Sequence, residues 1–140
     1  MGDVPDHDHI IDTGKSQLTL EELGAVQPGM ARVMPEVGAR MWKCFYAGKA
    51  KNKPLARFQL KEAVNLMEMG VLLRPKYTDN MYKFIEEQVE VVKTAIEGED
   101  WDKFEAAFNE MVDCANAYHE VYESRSSSGR SPTCRRPTWT

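Results

Sequence analysis

Apolar residues recur at helical spacing in four long stretches of this chain, and each stretch is bounded by residues that begin or end helices. Positions three and four residues apart lie on one face of an α-helix, so each stretch predicts an amphipathic helix. The strict alternation of apolar and polar residues that indicates a half-buried strand is not seen. The pattern therefore favours an all-α fold.

Local signals predict where the helices begin and end. Thr19, followed three residues later by Glu22, forms a capping box, which predicts the start of a short first helix. The long helices that follow are separated by breaks at 48–54, 74–77 and 98–100, where Gly, Pro and Asp residues interrupt the pattern. Pro35 falls one turn into the first long helix and predicts a start or a kink there.

Short connections between successive helices make them antiparallel neighbours. The sequence therefore predicts an up-down-up-down antiparallel four-helix bundle over residues 19–124. Residues 1–18 lack periodicity and are predicted to be disordered, as is the Arg/Ser/Pro/Thr-rich tail of residues 125–140.

Charge is distributed unevenly along the chain. The whole sequence has a formal net charge of −4, yet residues 37–61 contain seven basic residues and no acidic one. Residues 86–123 contain twelve acidic residues and two lysines. Such asymmetry can steer a charged partner or drive head-to-tail self-association, although two solvated helix faces of opposite sign would give the same pattern.

Composition excludes several classes of function. No apolar stretch is long enough to cross a bilayer, and the polar, acidic N-terminus shows no export signal, so we expect a cytoplasmic protein without membrane contact. The acidic balance argues against general nucleic-acid affinity. Cys44, Cys114 and Cys134 are widely separated, which favours neither a disulfide framework nor a zinc site.

His119 is the most informative candidate in the fourth long helix. It follows Ala115, Asn116 and Tyr118 in an order that resembles the Cys-Asn-x-Cys-His haem motif of bacterial cytochrome c-like (cytochrome c-prime-type) four-helix bundles, with both cysteines replaced. In that family the histidine is the axial ligand of the haem iron. Ala115 and Tyr118 cannot form thioether bonds, so covalent haem attachment is excluded on chemical grounds.

A second stretch carries the same resemblance. The family often has an Arg-x-x-Lys-x-x-x-Ala-Gly element, then Asn-x-Pro-Leu-Ala, then an aromatic-x-Leu-x-Glu element. The matching residues here are Arg40, Lys43, Ala47, Gly48, Asn52, Pro54, Leu55, Ala56, Phe58, Leu60 and Glu62. The resemblance covers residues 30–122 and implies a relative of these cytochromes that has lost c-type haem.

Three functions remain open from the sequence. The first is a non-enzymatic bundle without haem that acts through a protein partner or as a homodimer. The second is non-covalent binding of haem, or of another planar ligand, through His119 for sensing or electron transfer. The third is a small enzyme, or an accessory subunit of one, that uses Tyr118 and His119 in acid–base chemistry.

The resemblance and the apolar stripes also suggest which side chains would surround a bound ligand. His119 is the only metal ligand expected, and only if haem binds; otherwise no cofactor is expected. Arg40 and Lys43 could pair with haem propionates or with acids of the fourth long helix. The ligand-lining candidates are His119, Tyr118, Ala115, Met111, Met41 and Phe45.

Overall fold

The computed structural model describes the backbone of residues 9–123 and the side chains of residues 9–120. Most of this part of the chain is helical, which confirms the all-α prediction at that level. The helices are α1 (Leu20–Ala25), α2 (Met30–Lys49), α3 (Lys53–Leu73), α4 (Thr78–Phe84), α5 (Glu90–Glu97) and α6 (Trp101–Glu123). A 3₁₀ turn (Pro75–Tyr77) precedes α4, and a π-helical segment (Ile85–Val89) joins α4 to α5.

Side-chain caps begin α1 and α3 close to the positions where the sequence predicts these helices to start. The Thr19 hydroxyl accepts from the Glu22 amide at 3.1 Å, and the Glu22 carboxylate accepts from the Thr19 amide at 2.9 Å, which confirms the capping box. At the start of α3, Asn52 Oδ1 accepts from the Leu55 amide at 3.2 Å. Each cap satisfies a backbone donor that has no partner within its helix.

Helix α2 runs without interruption through Pro35, which is exposed. The helix does not start at the proline. It begins more than one turn earlier, after an N-cap at Gly29. A proline near a helix start removes few of the internal hydrogen bonds.

The core lies between the long helices. Helix α2 packs along α3, α3 contacts α4 and α5, α5 packs on α6, and α6 also contacts α2 and the π-helical segment. Each long helix contributes one buried face. On α3 this is not the predicted apolar stripe, because Leu55, Phe58 and Met69 of that stripe are exposed and a different side of the helix is buried. The largest fully buried side chains are Phe104, Ile96, Met111, Val33, Val89, Val92 and Cys44.

Gly48 allows α2 and α6 to approach each other closely. A Cβ atom built on Gly48 would lie 2.0 Å from Cε1 and 2.3 Å from Cζ of Phe104, so the aromatic ring occupies the space that any larger residue would need. Phe104 is fully buried against this glycine. The sequence predicts Gly48 both on the apolar face of this helix and at its end, and it lies buried within the last turn of α2.

A small β-hairpin precedes α1. Strands β1 (Ile10–Asp12) and β2 (Gln17–Thr19) pair antiparallel, with Ile11 opposite Leu18. Gly14 takes a φ of 79° in the connecting turn, and its amide donates to Asp12 Oδ1 at 2.8 Å. The sequence predicts no regular structure here, and that prediction is wrong for these strands, which are too short to show an alternating pattern.

Two predicted disordered segments fall wholly or partly outside the described residues. They are the tail of residues 125–140 and residues 1–8 of the N-terminal segment. None of the helices in the described range is long and apolar enough to cross a membrane.

Candidate interaction surface

The residues predicted to line a ligand do not share one environment. Met111 and Tyr118 are buried in the core, and Ala115, Met41 and Phe45 are partly buried beside it. The side chain of His119 is exposed on the outside of α6. The structure therefore brings five of the six candidates to the core or its edge, and leaves the predicted iron ligand apart from them.

This arrangement does not fit a haem held inside the helices by His119. The imidazole is exposed, and the Tyr118 ring fills part of the interior, where it meets the Phe84 ring edge-on at a centroid distance of 6.1 Å. A porphyrin between these helices would have to displace such packed side chains, and an axial histidine would have to face it.

We expect that adding hemin to the purified protein produces no Soret shift that depends on His119. The measurement is a visible-absorption titration with hemin of the full-length wild-type protein and of full-length His119→Ala. A Soret band that forms in the wild type and is lost in His119→Ala would contradict the expectation and restore axial ligation by this residue.

Arg40 and Lys43 are also separated. Arg40 Nη1 donates to Gln59 Oε1 at 3.2 Å, and its guanidinium lies 6.0 Å from the Phe58 ring centroid. Arg40 also lies 3.9 Å from the carboxylate of Glu36, one turn earlier on α2. Lys43 is exposed. Within the described residues neither of them pairs with an acid of α6, so that alternative is not seen, and pairing with haem propionates stays a prediction.

Other basic residues of the 37–61 segment do contact the acidic half of the chain. Lys49 Nζ lies 2.9 Å from Glu105 of α6, and Arg57 forms a bidentate salt bridge with Glu97 of α5. Lys53 Nζ donates to the Glu97 carbonyl at 2.9 Å. The hydrogen bonds from Arg57 hold the pKa of the Glu97 carboxyl below its usual range. Part of the charge asymmetry is therefore balanced within one molecule.

An aromatic cluster on α2 was missed by the sequence reasoning. The rings of Trp42 and Tyr46 stack at a centroid distance of 6.2 Å, and Phe45 meets both of them edge-on. Phe45 in turn packs on buried Phe108 of α6 at 5.0 Å. Trp42 and Tyr46 are nevertheless 59% and 66% exposed. Their spacing of four residues, off the predicted apolar stripe, is the sequence signal that could have identified them.

Helix α3 carries a second group of exposed apolar side chains. Leu55, Phe58, Met69 and Leu72 recur at helical spacing on the side of α3 that faces away from the core, and Leu72 is 80% exposed. Together with Trp42 and Tyr46 they make up six of the ten large hydrophobic side chains that are exposed among the described residues. We call these six residues the α2–α3 outer face. Single exposed hydrophobic residues are ordinary, whereas larger exposed apolar patches are typical of binding surfaces.

Both cysteines in the described part of the chain are buried. Cys44 is a free thiol with no solvent exposure, and burial raises its pKa to about 12. A thiol with that pKa stays protonated at neutral pH and is a poor nucleophile. Cys114 of α6 is also buried, at 5% exposure.

Comparison with known proteins yields no relative. No protein-family model matches the chain, and neither a curated protein nor a solved structure matches it. A proposal for the function of this protein therefore rests on its exposed side chains.

Proposed function

We propose that this chain is a non-enzymatic protein that acts through protein contacts, by self-association through the α2–α3 outer face. The observation that carries the proposal is the concentration of exposed but ordered aromatic and aliphatic side chains on two adjacent helices. Trp42 and Tyr46 are held by stacking on each other and through Phe45. Tryptophan and tyrosine are the residues most often found at the energetic centres of protein interfaces.

The same proposal includes the finer features expected from the sequence. Short links between α2, α3, the α4–α5 run and α6 support an up-down-up-down four-helix bundle, as do the contacts of each helix with its sequence neighbours. The kinship with cytochromes that have lost covalent haem rests on the two motifs around residues 40–62 and 115–119. A cytoplasmic location stays a prediction.

A second copy is the partner that the surface favours, for two reasons. Burial of apolar side chains drives association whichever partner supplies the matching face, and two copies of one apolar face match each other in an isologous dimer. The acidic face of another copy offers a second route, because Lys43 and Lys51 are exposed and make no ion pair within residues 9–120.

Sedimentation velocity of the full chain at micromolar concentrations tests the proposal. We expect a concentration-dependent dimer in the wild type, and dimerisation at least about thirtyfold weaker in Trp42→Ala/Tyr46→Ala, since an aromatic residue central to an interface often contributes 2 kcal/mol or more. Tyr82→Ala removes an exposed aromatic residue outside this face and is the matched control.

Two results would overturn self-association through this face. One is a monomer at every concentration, at both low and high salt. The other is a dimer that weakens equally in the double variant and in Tyr82→Ala. Circular dichroism of each variant shows whether a loss of dimer follows from a loss of fold.

A further inference from the structure

A cleft of about 500 Å³ opens between α3 and α5, away from the aromatic cluster. Its floor is apolar and consists of Leu60, Val64, Val89 and Ile96, of which all but Val64 are buried. Small-molecule sites are commonly clefts of roughly 300–1,000 Å³ with mostly apolar walls and a few charged or polar groups. The volume and the floor of this cleft fit that description.

The rim of the cleft carries more positive than negative side chains. The Arg57–Glu97 salt bridge lies at one end of it. Because the short link between α3 and the α4–α5 run makes them antiparallel, Lys61, one turn after Arg57, lies level with Lys93, one turn before Glu97. Both lysines are exposed lining residues, and neither forms an ion pair within the described part of the chain.

An anion placed between Lys61 and Lys93 would be attracted by both ammonium groups. Glu90, the other acidic residue that lines the cleft, makes no ion pair with either lysine. The full set of lining charges is therefore three cations and two carboxylates, one of which Arg57 already holds. The cleft thus combines an apolar floor with a net positive rim.

We propose that this cleft binds a small amphipathic anion, whose charged head lies between Lys61 and Lys93 and whose apolar part covers the floor. A carboxylate and a phosphate monoester share the required chemistry, since both present several acceptor oxygens to two ammonium groups. The site is separate from the α2–α3 outer face, so it does not depend on the proposed self-association.

Isothermal titration calorimetry with decanoate, decyl phosphate and decanol tests the proposal on the full chain. We expect saturable binding of at least one of the two anions, at least about fivefold tighter than binding of decanol, which has the same tail without the charge. The two anions distinguish a carboxylate-type from a phosphate-type ligand. Equal affinity for decanol and both anions, or no saturable binding of either anion, would overturn the proposal.

Variants then locate the site. Lys61→Gln/Lys93→Gln is expected to weaken binding of the anion about fivefold or more, and Val64→Phe, which fills the floor, to abolish it. Lys15→Gln/Arg32→Gln makes the same change in net charge at exposed residues outside the cleft and is expected to leave binding unchanged. An equal loss of affinity in both double variants would show non-specific charge attraction and overturn the site.

Discussion

Gly48→Ala is expected to destabilise the fold by about 3 kcal/mol or more, because the new methyl group would overlap the ring of Phe104. The Cβ position lies within 2.7 Å of three ring carbons, a separation that side chains do not tolerate. Phe104 is fully buried and contacts Phe108 and Trp101, so its ring has little room to move. Urea unfolding followed by circular dichroism measures the change.

A second glycine of the same helix provides the control. A Cβ atom on Gly38 would meet nothing within 4 Å, so Gly38→Ala should stabilise the protein by up to about 1 kcal/mol through helix propensity alone. If Gly48→Ala behaved like Gly38→Ala, the close packing of α2 on α6 would not exist in solution.

The cause of the loss can be isolated with a smaller partner at position 104. Phe104→Leu removes the ring atoms nearest to Gly48 at the cost of a cavity. Gly48→Ala/Phe104→Leu should therefore be less destabilised than the sum of the two single variants, since the overlap is then partly relieved. Additive losses would mean that the alanine acts through something other than the ring.

Gln88→Met is expected to stabilise the fold by about 1 to 2 kcal/mol, because it removes a buried donor that has no acceptor. Gln88 lies in the π-helical segment and is 2% exposed, and its Nε2 makes no hydrogen bond. Methionine is of similar length and suits an apolar core that already contains Met67 and Met111. Urea unfolding of both proteins gives the difference in free energy of unfolding.

The other buried glutamine should respond in the opposite direction. Gln59 accepts from Arg40 at 3.2 Å, so Gln59→Met removes that hydrogen bond and is expected to destabilise the protein by about 1 kcal/mol. A stabilising Gln59→Met, or a destabilising Gln88→Met, would show that the two amides do not differ in hydrogen bonding as described.

Helix caps and helix ends, which depend on residues close in sequence, could be predicted, whereas contacts between distant residues could not. Two local features, the β-hairpin of residues 10–19 and the π-helical segment, were also not predicted. The capping box of Thr19 and Glu22 depends on residues three apart, and the breaks at 48–54 and 98–100 depend on their own Gly, Pro and Asp residues, so the sequence predicted them. The contact of Gly48 with Phe104 joins residues far apart in the chain, and no local pattern reports it.

The candidate site illustrates the same limit. A motif of five neighbouring residues predicted His119 as the ligand-binding residue. Its side chain is exposed and apart from buried Met111. The outer face depends on which helix sides remain uncovered once α2 and α3 have packed. Similarly, the partners of Lys49 and Arg57 could not be read from charge counts, which do not show that basic and acidic stretches meet within one molecule.

The π-helical segment Ile85–Val89 is a place where this chain could lose one residue without rotating the helix that follows. A π-helical turn contains one residue more than an α-helical turn, and the helices on either side keep the orientation they would have without it. Deleting one exposed residue there, such as Glu86, would convert the turn into an α-helix and leave Phe84 and Val92 facing the core. A deletion elsewhere in a long helix would rotate every later residue by about 100°. Among positions within the long helices, this segment is therefore one where the loss of one residue would disturb the packing little.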